Sequence, residues 1–236
     1  DGLLIGEVWE DASNKISYGE RRKYFMGDEL DGTMNYPLRD ILLDYINYTI
    51  SSGYAAERLE SLSENYPREN FYGALNLIGS HDRERIITAM AAEEDYQAAV
   101  KKVRVMSALE FTLPGVPCIY YGDEAGMEGY GDPFCRRPFP WGREERELQV
   151  HYHRLGQLRN KYKALRLGDI QFHCALNNQL SFTRTYKEQT IRVYMNRGSD
   201  DWQIPAGRIL LARNMLTVAP DQLVLGHNGF CILEDE

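Results

Sequence analysis

Residues 72–82 read YGALNLIGSHD: a mostly apolar run, a glycine and a serine, then a histidine and a carboxylate. A similar ending occurs twice more. LLIGE at 3–7 runs into Glu7, and CIYYGDE at 118–124 runs into Asp123 and Glu124. An ionised carboxylate is costly inside an apolar strand without a partner, so each acid marks where a buried strand leaves its sheet. ELDGTMNY at 29–36 predicts a further, weaker strand. Between these runs apolar residues recur at helical spacing. The predicted helices are 37–50 with Pro37 in the first turn, 55–66 before Pro67, 93–113 before Pro114 and Gly115, and 143–165.

Strands and helices in alternation form a parallel sheet covered by helices. Four such units fill residues 1–163, whereas a closed eight-fold (β/α)8 TIM barrel takes roughly 250 residues. The segment therefore reads as half a barrel. After it the texture changes: IQFHCAL, LSFTRTY, TIRVYMN, RILLARN, QLVLG and GFCILED alternate with period two. NNQ, KEQ, RGSDD, APD and HNG separate them as turns. Six short strands in this rhythm predict a small antiparallel β-sandwich, with the division expected at 1–163 and 164–236.

The 236 residues are 43% hydrophobic and 26% charged, ordinary for a folded chain. A formal net charge of −8 argues against nucleic acid or an anionic membrane surface as partner. The basic run GERRKYF at 19–25 carries its own acid and reads as a solvated loop. No apolar stretch approaches the ~18 residues of a membrane helix. Cys118, Cys135, Cys174 and Cys231 lack metal-site spacing, so no structural metal is expected, and a reducing, cytoplasmic setting is mildly favoured. His151 and His153 face different ways on a helix and read as surface residues.

Loops after the C-terminal ends of barrel strands build the active site in this architecture. That would bring Glu7, Asp82, Asp123 and Glu124 to one mouth. Converging carboxyl groups suit glycoside hydrolysis, in which one acid protonates the leaving oxygen and others support an oxocarbenium-like transition state. Acids after strands also cap helices. That reading stays open for Asp123 and Glu124, and is weaker for Glu7 inside its apolar run.

Several segments resemble the α-amylase family, glycoside hydrolase family 13. GEVWEDA at 6–12 resembles the segment carrying the general acid/base. LNLIGSHDRERI at 75–86 resembles the later segment in which an Asp follows a His, and GVPCIYYGDEAGMEG at 115–129 resembles the last barrel strand and its loop. LDGTMNYPL at 30–38 and GYGDPFCRRPFPW at 129–141 are similar to the sixth-strand region and a sugar-lining loop of the neopullulanase and cyclomaltodextrinase group. The resemblance runs from residue 1 to about 163, and the trailing strands are similar to the family's C-terminal β-domain. It implies strands five to eight, the C-terminal half of the barrel, followed by that domain.

The resemblance implies roles for individual residues. Glu7 would be the general acid/base and Asp82 would stabilise the transition state, with His81 donating to the same sugar ring. Asp132 and Arg136 would contact a neighbouring sugar, and Trp9 and Tyr36 would stack on pyranose faces. Each of these five also has a plain structural reading: a strand-end histidine, a surface ion pair, aromatic packing. Arg83 stands where the family carries a small residue, which bears on substrate preference.

One element of the family pattern is missing. Its nucleophilic Asp, with an Arg two residues earlier and a His shortly after, has no match in this chain. The expectation is a parent glycoside hydrolase acting on an α-glucan oligosaccharide (maltodextrin, cyclodextrin or pullulan), with this chain inactive alone. No cofactor is implied for the chain, and any calcium ligands of the family would lie in the N-terminal half. That half is an expected partner, and open sheet edges invite homodimers. The competing reading is a non-catalytic amylase-like partner domain, such as the ectodomain of a transporter's heavy subunit.

Overall fold

The computed structural model describes residues 2–27, 29–91, 95–219 and 222–235. Its first part contains β1 (Ile5–Gly6), a small hairpin of β2 (Ile16–Ser17) and β3 (Glu20–Arg21), and β4 (Gly32–Asn35). There follow α1 (Tyr36–Ile46), α2 (Ser52–Asn65), α3 (Arg68–Gly73), β5 (Leu75–Asn76), α4 (Ile86–Met90) and α5 (Tyr96–Thr112). Then come β6 (Val116–Pro117), α6 (Arg146–Lys161) and α7 (Lys163–Leu167). The four-stranded sheet has the order β1-β4-β5-β6, every neighbouring pair parallel. Spatial order follows chain order with no switch point, which is barrel rather than doubly wound topology. This is half of a (β/α)8 barrel.

The hydrogen-bonded ladders are shorter than predicted. The run at 72–82 begins as the last turn of α3 and is paired only at Leu75–Asn76. The residues beyond each short ladder leave the sheet to form the loops that carry the acids. Leu3 is 81% exposed, and Leu4 and Val116 are exposed as well, along the outer strands β1 and β6.

Two buried amides tie the sheet to its helices. Asn35 Oδ1 accepts from the Leu38 amide at 3.2 Å, capping α1, while its Nδ2 donates to Asn76 Oδ1 at 3.0 Å. Asn76 Nδ2 in turn donates to the Pro114 carbonyl at 2.7 Å. Gly115 must be glycine here: its φ is +111°, and a Cβ would sit 2.4 Å from Asn76 Oδ1.

The C-terminus of α5 poses an accounting problem, because the last carbonyls of a helix have no intrahelical donor. Pro114 prevents continuation. Arg159 Nη1 donates to the Phe111 carbonyl at 2.8 Å, and Arg184 Nη1 donates to the Thr112 carbonyl. Arg184 also donates to the Gly168 carbonyl through Nε and Nη2, at 3.2 and 2.9 Å. Arg197 fastens a second point, donating to the Ile50 carbonyl at 2.6 Å and lying over the rings of Tyr45 and Tyr48. Buried guanidinium groups thus staple the sheet part onto the barrel part, and one apolar core runs through both.

The second part consists of β7 (Asp169–Cys174), β8 (Gln179–Tyr186), β9 (Gln189–Asn196), β10 (Trp202–Pro205), β11 (Arg208–Ala219) and β12 (Gln222–Glu234). They form one six-stranded antiparallel sheet, β10-β12-β9-β8-β7, with β11 also on β12. The predicted turn HNG is instead a bulge inside β12, so QLVLG and GFCILED are one long strand. Residues 222–225 pair with β10 and 229–234 with β9, while β11 follows both stretches. Asn214 and Asn228 adopt positive φ of 50° and 52° at this bend, a conformation asparagine tolerates. The bend carries Trp202 over Tyr194, 5.4 Å between centroids, although their strands are not neighbours. A small second core of Ile204, Leu223, Leu225, Cys231 and Leu233 is enclosed there. The domain is therefore a single curled sheet. Strand β10 carries little signal in the sequence because its run is short and ends in Pro205, which suits only an edge.

Position 151 corrects another expectation. His151 is buried, on the stripe of α6 shared with Leu148, Tyr152 and Leu155. Its Nε2 lies 3.1 Å from the Arg104 carbonyl, to which it must donate, and 3.0 Å from Ser107 Oγ. Burial, with Arg213 and Arg104 nearby, pushes its pKa down to about 3. Asp123 is buried too, and burial pushes it up to about 7 despite the Arg85 guanidinium 3.3 Å away.

Two outcomes follow from this packing. Arg184→Leu leaves the Thr112 and Gly168 carbonyls without their donor, so it should destabilise the fold by about 2–4 kcal/mol in chemical denaturation. For Asp123, the folded state holds its proton up to about pH 7, while an unfolded Asp releases it near 3.8. Its contribution therefore weakens stability as pH rises from 4 to 7, whereas neutral His151 weakens stability as pH falls from 6.5 towards 3. Asp123→Asn removes the first effect, and with it the part of the raised Glu110 pKa that the Asp123 charge causes. The melting temperature of the variant, relative to the parent, should climb steadily between pH 4 and pH 8.

Candidate active site

Glu7 follows the last residue of β1, Tyr36 opens α1 directly after β4, and His81 and Asp82 lie six and seven residues into the run that starts β5. Parallel strands leaving one sheet at the same end bring these positions together. One ligand atom each of Glu7, His81 and Asp82 lies within 4.8 Å of the others. Two carboxyl groups and an imidazole thus converge on one point of the mouth.

Glu7 is held from below. Tyr36 Oη lies 3.1 Å from Glu7 Oε1 and 3.2 Å from Ser80 Oγ. A phenol has one proton, so donation to the carboxylate leaves Ser80 to donate to Tyr36. Burial raises the Tyr36 pKa, keeping it a donor. The ring of Tyr36 is 1% exposed and Trp9 stacks on it, centroids 4.5 Å apart and planes 11° off parallel. This corrects the expected sugar platform: no face of Tyr36 is open to a pyranose, and its hydroxyl positions Glu7 instead. Trp9 remains 36% exposed, but the Arg83 guanidinium lies over its ring at 4.4 Å. A sugar stacking on that indole meets Arg83 first.

Asp82 is clamped from the other side. Arg136 Nη2 donates to Asp82 Oδ1 at 3.0 Å, and His81 Nε2 lies 3.3 Å from the same oxygen. Arg136 Nε lies 3.1 Å from Asp132 Oδ1 and also donates to the His81 carbonyl at 3.1 Å. The 3₁₀ turn Phe134–Arg136 sets this guanidinium in place, with Cys135 Sγ against the same carbonyl. The structure thus gathers Glu7, Trp9, His81, Asp82, Asp132 and Arg136 at one mouth.

Asp123 and Glu124 do not join them. Asp123 is buried against Arg85, in space that exists because residue 79 is glycine: a Cβ there would meet Asp123 Oδ2 at 1.9 Å. Glu124 Oε2 accepts from the Gly122 amide at 2.8 Å and shapes its own turn. Ser80 and the cation–π contact of Arg83 were not read from the sequence. Ser80 carries no signal there beyond standing between two strand-end residues.

Two carboxylates and an imidazole could in principle take a divalent cation. The Arg136 guanidinium 3.0 Å from Asp82 already supplies the positive charge, and it would repel one. The donors fit neutral hydroxyl groups better: charged acceptors for O–H, and an imidazole for ring oxygens.

The family described as Alpha amylase, catalytic domain, matches residues 1–147. A cyclomaltodextrinase of Geobacillus thermopakistaniensis is 36% identical over 210 residues, covering 87% of this chain and 33% of the relative. Neopullulanase 2 of Thermoactinomyces vulgaris is 34% identical over 204 residues, 83% of this chain and 32% of that protein. The solved debranching enzyme of Nostoc punctiforme superposes with a TM-score of 0.82 at 26% identity, over 98% of this chain and 51% of its own. The chain spans about a third of the curated cyclomaltodextrinase and neopullulanase it matches. With four motif-bearing strand ends in order, a half-barrel beneath them and this match across the barrel part, the chain belongs to the α-amylase family.

Proposed function

We propose that the protein containing this chain hydrolyses α-glucosidic bonds in maltodextrins, cyclodextrins or pullulan. Glu7 acts as general acid/base, and Asp82 with His81 grips the hydroxyls of the sugar whose bond is broken. The observation that carries this reading is the approach of Glu7, His81 and Asp82 to within 4.8 Å at one barrel mouth. The names of the relatives support the choice of glucan.

In this reading Glu7 gives its proton to the departing glycosidic oxygen and later takes one from water. Asp82 does not attack. Its Oδ1 is engaged by Arg136 and His81, which lowers its nucleophilicity and suits it to holding hydroxyls as positive charge grows on the ring. The attacking carboxylate of a retaining reaction comes from a segment outside this chain, docked on the open side of the sheet where Leu3, Leu4 and Val116 are exposed. Asp132 and Arg136 hold the neighbouring sugar. Arg83 over Trp9 narrows the platform beyond it.

Assays of the full-length protein on cyclodextrin, pullulan and starch test this directly. Glu7→Gln should lower kcat by about 10²–10⁴; unchanged turnover would remove Glu7 from the mechanism. Tyr36→Phe keeps the buried ring and loses one hydrogen bond, so kcat should fall about tenfold with KM little changed. Loss of binding instead would mean that Tyr36 meets the sugar after all.

A further inference from the structure

Between α5 and the bend of β11 and β12 lies a cavity of about 470 Å³ that shares no residue with the candidate active site. Lys101 and Arg104 reach it from one face of α5, and Arg213, His227, Asn228 and Phe230 from the sheet. Its walls are basic in a chain whose net charge is −8. Among the described residues, Glu147 is the carboxylate that answers them: it pairs with Arg104 while its side chain stays 74% exposed. Arg154 adds further positive charge close to Arg213.

The donors here are only partly used. Arg104 Nε is buried and finds no acceptor. The guanidinium of Arg213 bonds through Nη1 to the carbonyl of its own neighbour, Ala212, at 3.2 Å. His227 Nδ1 lies 2.9 Å from the Gly198 carbonyl, to which it must donate, and its Nε2 lies 2.8 Å from Asn228 Nδ2.

Clustered cations repel one another unless an anion sits among them. Arginine forks match planar and tetrahedral oxyanions, and a site of this volume holds more than a bare ion. A neutral sugar is a poorer fit, because the aromatic ring in the wall, Phe230, is buried and presents no stacking platform. We propose that this cavity binds a phosphate group, as inorganic phosphate or as the phosphate monoester of a sugar, between Arg104, Arg213 and Lys101. Bound there, the anion bridges a barrel helix and the curled sheet.

Calorimetric titration of the full-length protein with sodium phosphate and with glucose 6-phosphate, at fixed ionic strength in chloride, tests the site. One saturable site is expected. Arg213→Ala should weaken it about tenfold, and Glu147→Gln, which frees Arg104, should tighten it. Tighter binding of the sugar phosphate assigns the monoester, and equal or tighter binding of inorganic phosphate assigns the free ion. Absence of saturable binding by either ligand, or binding that neither substitution alters, overturns the proposal.

Discussion

The contact between the Tyr36 phenol and the Glu7 carboxylate is where fold and chemistry meet. Glu7 follows an outer strand paired over only two residues, too little backbone structure to aim a side chain. Tyr36 supplies the aim. It is buried at the first position of α1, its neighbour Asn35 caps that helix and bonds to Asn76, and Trp9 closes over its ring. The same amide pair that joins the strands thus fixes the phenol that holds the acid. A carboxylate on a frayed edge becomes an oriented one.

Beneath the mouth a second layer keeps the loops in place. Arg85 is buried against Asp123 and lies over the rings of Tyr120 and Tyr121 at 4.2 and 4.6 Å. Gly79 makes room for Asp123, and Gly122, at a φ of +91°, lets the loop turn beside Arg85. Asp82 stands three residues after Gly79, so this buried contact lies close in the chain to the clamp. The acids around the mouth therefore differ: Glu7 and Asp82 are held by a hydroxyl and a guanidinium group, while Asp123 is buried where its charge costs stability.

Much of this could be read from residues alone, because a charge at the end of an apolar run has few places to go. Glu7, His81 and Asp82 declared themselves that way, and the run of motifs located Asp132 and Arg136. The half-barrel was legible from alternation and count. What stayed hidden depended on which side of a residue is covered. Tyr36 could stack or donate, and only the position of Trp9 decides. His151 could be surface or core, and the stripe it shares with Leu148, Tyr152 and Leu155 settled that. The bulge at 226–229 resembled a turn, since asparagine and glycine serve both, and β10 was too short to register.

The account stands on Glu7 and Asp82 addressing the same sugar. A crystal structure of the full-length Glu7→Gln protein with a bound maltooligosaccharide measures this most directly. The account places a glycosidic oxygen about 3 Å from the side chain of residue 7, with Asp82 and His81 on the hydroxyls of the ring next to it. A glucan lying across the barrel mouth with residue 7 turned away from every glycosidic oxygen would contradict it.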